Sequence, residues 1–355
     1  NKTNFCTMGA VSDWVNMGDM NRLRAWFLAI GVAVAGSQLL QAWGVVDLGK
    51  SIYLTANLGW LGHALGGFLF GVGMTLGSGC GQRTLVRVGG GNLKSLVVML
   101  VMGITAYMTL RGLLAPVRIN AIEVTNIDLT TRNIPDQGIT SLIASIANIE
   151  NTATLRGIVG ALVSLGFIVF AFVSSEFRRS FDNLLSGISI GLFIVVGWFI
   201  TGKIGFDEFE PTRVESYTFV SPVADAVNYM MTYTGSTINF GIAAVFGVIF
   251  GSFLYAIISG KFSIETFTKR SDMIDHIVGG VLMGFGGVLA LGCTIGQGVT
   301  GMSTLALGSV ITLVMIIFGS ALTMKMQGHM LDEQPFFRAL RLSLADMKLL
   351  PASGS

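Results

Sequence analysis

Residues 277–324 form a run of 48 positions without one Asp, Glu, Lys or Arg. About 20 apolar residues, at about 1.5 Å rise each, cross the hydrocarbon core of a bilayer. The run is too long for one crossing. It reads as two crossings joined by something irregular, and Cys293 lies in that middle. A second uncharged run covers 26–46. The whole chain follows suit: of 355 residues, 52% are hydrophobic and 12% charged, against roughly 25% charged in an ordinary soluble domain. Only helices and closed barrels satisfy their backbones in lipid, and runs of this length are helical. The fold class is therefore all-α and polytopic.

Similar runs give eight spans, at roughly 26–46, 55–77, 95–115, 157–175, 183–202, 238–259, 276–292 and 305–324. An even number puts both ends on one side. Fifteen of the 22 Lys and Arg residues fall on the side of Arg22 and Arg24, and seven on the other. The positive-inside rule then places both ends, including the C-terminus, in the cytoplasm. It also accounts for Arg83 and Arg87 as interface anchors. The net charge of +2 comes without a basic tract, so nothing points to nucleic acid. The chain opens on Asn1, inside a motif-like phrase, which leads us to expect further residues upstream, a ninth span among them. Residues 1–349 read as one transmembrane domain and 350–355 as a loose tail.

Two polar stretches interrupt the rhythm. Residues 116–155 hold a short helical pattern near 140–149, and 206–236 begin with "FDEFEPTRVE". The charge rule puts both outside, with Asp207, Glu208 and Glu210 near one mouth. Near the C-terminus, Phe336, Phe337, Leu340 and Leu344 recur at helical spacing beside Arg338, Arg341 and Lys348. That pattern predicts an amphipathic helix lying on the cytoplasmic interface.

The chain also repeats itself. "HALGGFLFGVGMTLGSGC" (63–80) aligns without a gap on "HIVGGVLMGFGGVLALGC" (276–293), at an offset of 213. His63, Gly66, Gly67, Gly71, Gly73, Gly79 and Cys80 meet His276, Gly279, Gly280, Gly284, Gly286, Gly292 and Cys293. After a two-residue insertion, Gln82 meets Gln297. The two copies enter from opposite sides, so we expect an inverted repeat, A at about 1–115 and B at about 238–325. The third cysteine, Cys6, sits in "TNFCTMGA", and Phe5-Cys6 can be laid weakly on Phe262-Ser263.

Each repeated Cys follows a Gly and precedes a stretch without acidic residues that is too short to span. Glycine clusters break a helix, and irregular backbone at membrane depth survives only where protein or a cavity shields it. Each Cys thus marks a break followed by an inward-pointing, re-entrant half-helix, whose free N–H groups favour an anion. No Asp, Glu or Lys lies inside a predicted span, and the one Arg, Arg111, stands near the end of the run 95–115. Coupling through a buried carboxylate is thereby disfavoured. The site candidates are Cys6, Cys80 and Cys293, with Gly79, Gly292, Gln82 and Gln297 beside them. A lone buried Cys is more often a small apolar filler. Recurrence in register argues otherwise for Cys80 and Cys293. Three cysteines leave one over, and no C-x-x-C occurs. Neither a disulfide framework nor a metal or cofactor site is expected.

"KTNFCTMGA", "GGFLFGVGMTLGSGCGQ" and "GGVLMGFGGVLALGCTIGQG" resemble the YeeE/YedE family of bacterial inner-membrane sulfur-transport proteins, over essentially the whole chain. The resemblance implies an hourglass of nine spans and thiosulfate uptake relayed by S–H contacts, which falls here on Cys6, Cys80 and Cys293. It also implies a small cytoplasmic sulfur-carrier or sulfurtransferase protein as partner. Related members are linked to selenium or other sulfur species. The chain is expected not to be an enzyme. Two other readings compete: a membrane sulfurtransferase that forms a Cys persulfide, and a scaffold with inert cysteines.

Overall fold

The computed structural model describes residues 2–205 and 213–349. The acidic cluster Asp207, Glu208 and Glu210 and the tail 350–355 lie outside the described residues. In chain order, α1 (Thr7–Ser12) continues into a π-helical turn (Asp13–Met17) and is followed by α2 (Asn21–Ala42). Then come α3 (Trp60–Leu76), α4 (Gly81–Gly89), α5 (Leu93–Arg111) and α6 (Ile139–Ala147). The centre of the sequence holds α7 (Ala153–Phe172), α8 (Phe181–Phe199) and α9 (Ser221–Met231). The chain finishes with α10 (Phe240–Ile258), α11 (Arg270–Leu289), a π-helical segment (Gly296–Gly301), α12 (Leu307–Leu331) and α13 (Phe336–Asp346). Among the described residues, eight helical stretches are long and apolar enough to cross a membrane: α2, α3 with α4, α5, α7, α8, α10, α11 and α12. The protein is a multi-pass, all-α membrane protein.

Glycine sets how closely these helices approach, and lipid offers little other drive for helix association. A Cβ on Gly66 would lie 2.6 Å from the Gly286 carbonyl oxygen, and one on Gly286 would lie 2.6 Å from that of Gly66. Gly73 and Gly279 face each other in the same way, at 2.8 and 2.7 Å. Exchanging the two sequence copies maps one pair onto the other, so α3 and α11 cross antiparallel about a local two-fold. The twinning extends outward. Gly67 and Gly71 press on α12 at Thr312 and Ile316, while Gly280 and Gly284 press on α5 at Val98 and Met102. Outside this core, α7 exposes Leu162, Leu165 and Val169, and α10 exposes Phe250, Leu254 and Ile258. These are the faces suited to lipid.

The polar stretch 116–155 folds over one end of the bundle. Its strand β2 (Ile127–Asp128) pairs antiparallel with β1 (Asn57–Leu58). Gln137 Oε1 accepts from Gly308 N at 3.2 Å, and Ile139 N donates to Leu305 O at 2.9 Å. At the other end α13 turns back on α12, where Asp346 accepts from His329 Nε2 at 2.9 Å. Phe337 remains 82% exposed, as an interfacial helix requires.

Two sequence expectations are corrected. Residues 216–231 do not form an outer loop: Ser216, Phe219, Val220, Val223 and Ala224 are all buried, and α9 packs between α5 and α10. The stretch is only half a span long and carries Asp225 and Asn228, which hid it from a search for apolar runs. The phrase at 260–267, on which Phe5-Cys6 can be laid weakly, forms no helix that could match α1. Its backbone is extended along 90–92, with Phe262 and Ser263 not buried. The segment that stands where Phe262-Ser263 was laid is Phe219-Val220, which meets Phe5-Cys6 at an offset of 214.

Candidate functional site

Four short helical arms begin near one another: α1 at Cys6, α4 at Cys80, α9 at Val220, and the stretch 294–303 just after Cys293. Their packing is twinned. α1 and the Gly296–Gly301 segment both rest on α2 and α12, whereas α9 and α4 both rest on α10 and α5. The turns that deliver Cys80 and Cys293 are the same turn. Gly77, Ser78 and Gly79 donate to the carbonyls of Gly73, Thr75 and Met74, and Ala290, Leu291 and Gly292 donate to those of Gly286, Val288 and Gly287. Ser78 (φ 56°) and Leu291 (φ 59°) both take the left-handed conformation. This pattern ends a helix by satisfying its last carbonyls, and it releases the next residues into the extended backbone that opens each arm.

All three cysteines are free and buried, with Cys80 and Cys293 at 0% exposure. The Cys6 and Cys80 thiols lie side by side, and Cys80 also faces the Thr294 hydroxyl. Cys293 Sγ accepts from Gly296 N at 3.4 Å and lies against Thr218, Phe219 and Ile295. Gly81 faces Phe219 across the junction, at 3.7 Å from a built Cβ to Phe219 Cβ. The arms thus bring Cys6, Cys80 and Cys293 to one centre. Phe5 stacks on Trp26 beside it, with ring centroids 4.8 Å apart.

The centre holds polar atoms without partners. The hydroxyls of Thr7, Thr218 and Thr294, the Trp26 indole N–H and Gln82 Oε1 are all buried and make no hydrogen bond of ordinary geometry. Such groups cost free energy when left unpaired, and native interiors hold few. Five of the seven such atoms among the described residues belong to residues at or beside the arm starts, which suits the centre to a polar ligand. Sequence reading missed Thr7, Trp26, Thr218 and Thr294. The one available signal was their position, one or two residues from a cysteine or from its twin Val220, for the three threonines.

The two glutamines differ. Gln297 donates from Nε2 to Ala290 O at 2.6 Å and accepts from Ser309 Oγ at 2.5 Å. It is a brace that ties the turn before Cys293 to α12. Gln82 has no such tie at Oε1. Gly79 and Gly292 shape the turns, and the atoms nearest to the missing Cβ of Gly292, at φ 158°, belong to Gln297 and Gly296. The paired histidines stand apart: His63 Nδ1 is 2.9 Å from Thr312 Oγ1, and His276 Nδ1 is 2.7 Å from Asp272 O.

On one side of the centre, Arg22 and Arg83 lie close enough to act electrostatically on Cys6. On the other, Glu215 N donates to Thr201 Oγ1 at 3.2 Å. Burial raises the Glu215 carboxyl above its ordinary range, against the pull of Arg213, and burial raises that of Asp225 too. These two acids therefore hold their protons more tightly than exposed ones do.

Residues 2–322 match the protein family described as sulphur transport. The thiosulfate transporter TsuA of Escherichia coli (strain K12) is 23% identical over 333 residues, covering 89% of this chain and 87% of that protein. The thiosulfate transporter TsuA of Spirochaeta thermophila is 26% identical over 267 residues, covering 74% and 76%.

Proposed function

The chain belongs to the sulphur transport family, and from that premise we propose that it carries thiosulfate, or a closely related sulfur anion, inward across the bacterial inner membrane. The observation that carries this reading is the central cluster: three buried free thiols with unpartnered hydroxyls and an indole N–H. Thiosulfate has a soft terminal sulfur and three oxygens. Thiols suit the first as weak donors, and hydroxyl and indole donors suit the second. The starts of the four arms carry no side-chain cap. Their N–H groups add partial positive charge.

In this reading the anion passes Cys293, Cys80 and Cys6 by S–H contacts, without covalent chemistry. Weak donors favour throughput, because a conducting site must admit and release alike. Both chain ends face the cytoplasm, as the Lys and Arg distribution supports. On that side a small soluble sulfur-carrier protein receives the transported anion.

The test is uptake of radiolabelled thiosulfate into liposomes holding purified protein, comparing wild type with Cys6→Ala, Cys80→Ala and Cys293→Ala. Uptake by wild type and its loss in the variants, at unchanged folding, is the expected result. Full uptake by all three variants refutes the thiol path.

A further inference from the structure

We propose that Arg83 forms a second anion station, in the cavity on the Cys6 side of the centre, which takes the oxygen end of a doubly charged sulfur anion. This rests on the transport reading above and adds a specificity-determining residue to it.

The cavity has a volume of about 560 Å³, and Asn4, Asp19, Arg22, Arg83 and Asn183 are among its lining residues. Its charges are not equivalent. Arg22 is paired with Asp13 at 3.0 Å and also donates to Asn4 O at 3.0 Å. Asp19 accepts from Asn21 N at 2.8 Å. Arg83 donates from Nη2 to Asn4 Oδ1 at 3.1 Å and forms no ion pair with a carboxylate among the described residues. A guanidinium has five N–H donors in a planar fork that matches an oxyanion edge. One neutral hydrogen bond leaves most of that fork free.

Arg83 also stands where it is needed. It lies on the first turn of α4, three residues from Cys80, and acts electrostatically on both Cys6 and Cys80. The residues of the thiol and hydroxyl centre include no Lys or Arg. A dianion leaving it toward the Cys6 side meets at Arg83 a positive charge not already paired with a carboxylate, on the wall of a cavity large enough for water to follow. The charge is one-sided. With Gln82 matched to Gln297, the twin of Arg83 is Gly298, and a Cβ there would meet Trp26 and Leu313. An Arg serving only as an interface anchor needs neither the cavity nor the thiol neighbours.

The experiment is equilibrium dialysis of radiolabelled thiosulfate against the purified full chain, with liposome uptake in parallel. The proteins are wild type, Arg83→Gln, Arg83→Lys and Asn4→Gly. Gly keeps the left-handed backbone of Asn4 (φ 50°) while removing its side chain. Losing one charge-assisted contact should weaken binding by about 10- to 100-fold in Arg83→Gln. Arg83→Lys should retain the larger part, and Asn4→Gly should stay within a few-fold of wild type, all at matched melting temperatures. Equal binding by wild type and Arg83→Gln overturns the proposal and leaves Arg83 an anchor. A loss in Asn4→Gly as large as in Arg83→Gln overturns it in favour of a strut for the N-terminal segment. Binding without flux faults the transport reading while the Arg83 comparison still stands. No binding of thiosulfate by wild type overturns both.

Discussion

Replacing Thr294 by Val removes one hydroxyl and nearly nothing else, and the structure assigns opposite signs to its two consequences. Thr294 is 0% exposed and its Oγ1 lacks a hydrogen-bond partner, with the weakly bonding Cys80 thiol as neighbour. An unsatisfied buried hydroxyl costs about 1–3 kcal/mol, so an apolar replacement of the same shape should stabilise the empty protein by up to that amount. A hydrogen bond to a charged group contributes about 1.5–3 kcal/mol, so losing it should weaken binding of the anion by about 10- to 150-fold. The melting temperature of the substrate-free protein should therefore rise while the half-saturating thiosulfate concentration in liposome uptake rises too. A passive core threonine gives no such split. Unchanged uptake with a raised melting temperature refutes the assignment of Thr294 to the site, and a lowered melting temperature refutes the claim that its hydroxyl is unpaired.

Further consequences can be checked on the same material. Gly73→Ala puts a methyl group against the backbone of α11, and overpacking of this kind should destabilise by about 1–3 kcal/mol; its twin Gly286→Ala should match it in thermal denaturation. Gln297→Ala strands Ala290 O and Ser309 Oγ, so melting temperature and uptake should fall together, whereas Gln82→Ala should lower uptake at unchanged melting temperature. Burial raises the folded Glu215 carboxyl above its unfolded value. The stabilisation from its protonated form is then complete below the ordinary carboxylate range and is lost as pH rises through the raised one. Glu215→Gln should flatten that part of the stability–pH curve, measured by thermal melts at several pH values.

The eight spans were legible because a span carries its own signature: each apolar run must satisfy its backbone without help from the rest of the chain. The register between α3 and α11 was legible for a related reason. Close approach demands glycine at fixed positions, and Gly66, Gly73, Gly279 and Gly286 recur at one offset. The fourth arm was not legible. Its start preserves little of its twin beyond Phe219, it puts Val220 where α1 has Cys6, and Asp225 lends it the look of a loop. Nor did sequence separate Gln82 from Gln297, since the difference lies in a partner, Ser309, that only folding supplies. The threonines of the centre were invisible because threonine is common in such helices, and only the missing partner marks them out.

The most direct test of the central proposal is an experimental structure determined with thiosulfate bound. The proposed path predicts density at the junction of the arms, with the terminal sulfur toward the Cys80 and Cys293 thiols, the oxygens toward Thr294, Thr218 or Trp26, and no bond from substrate to protein. Density elsewhere, or a sulfur atom covalently attached to any of the three cysteines, would contradict it.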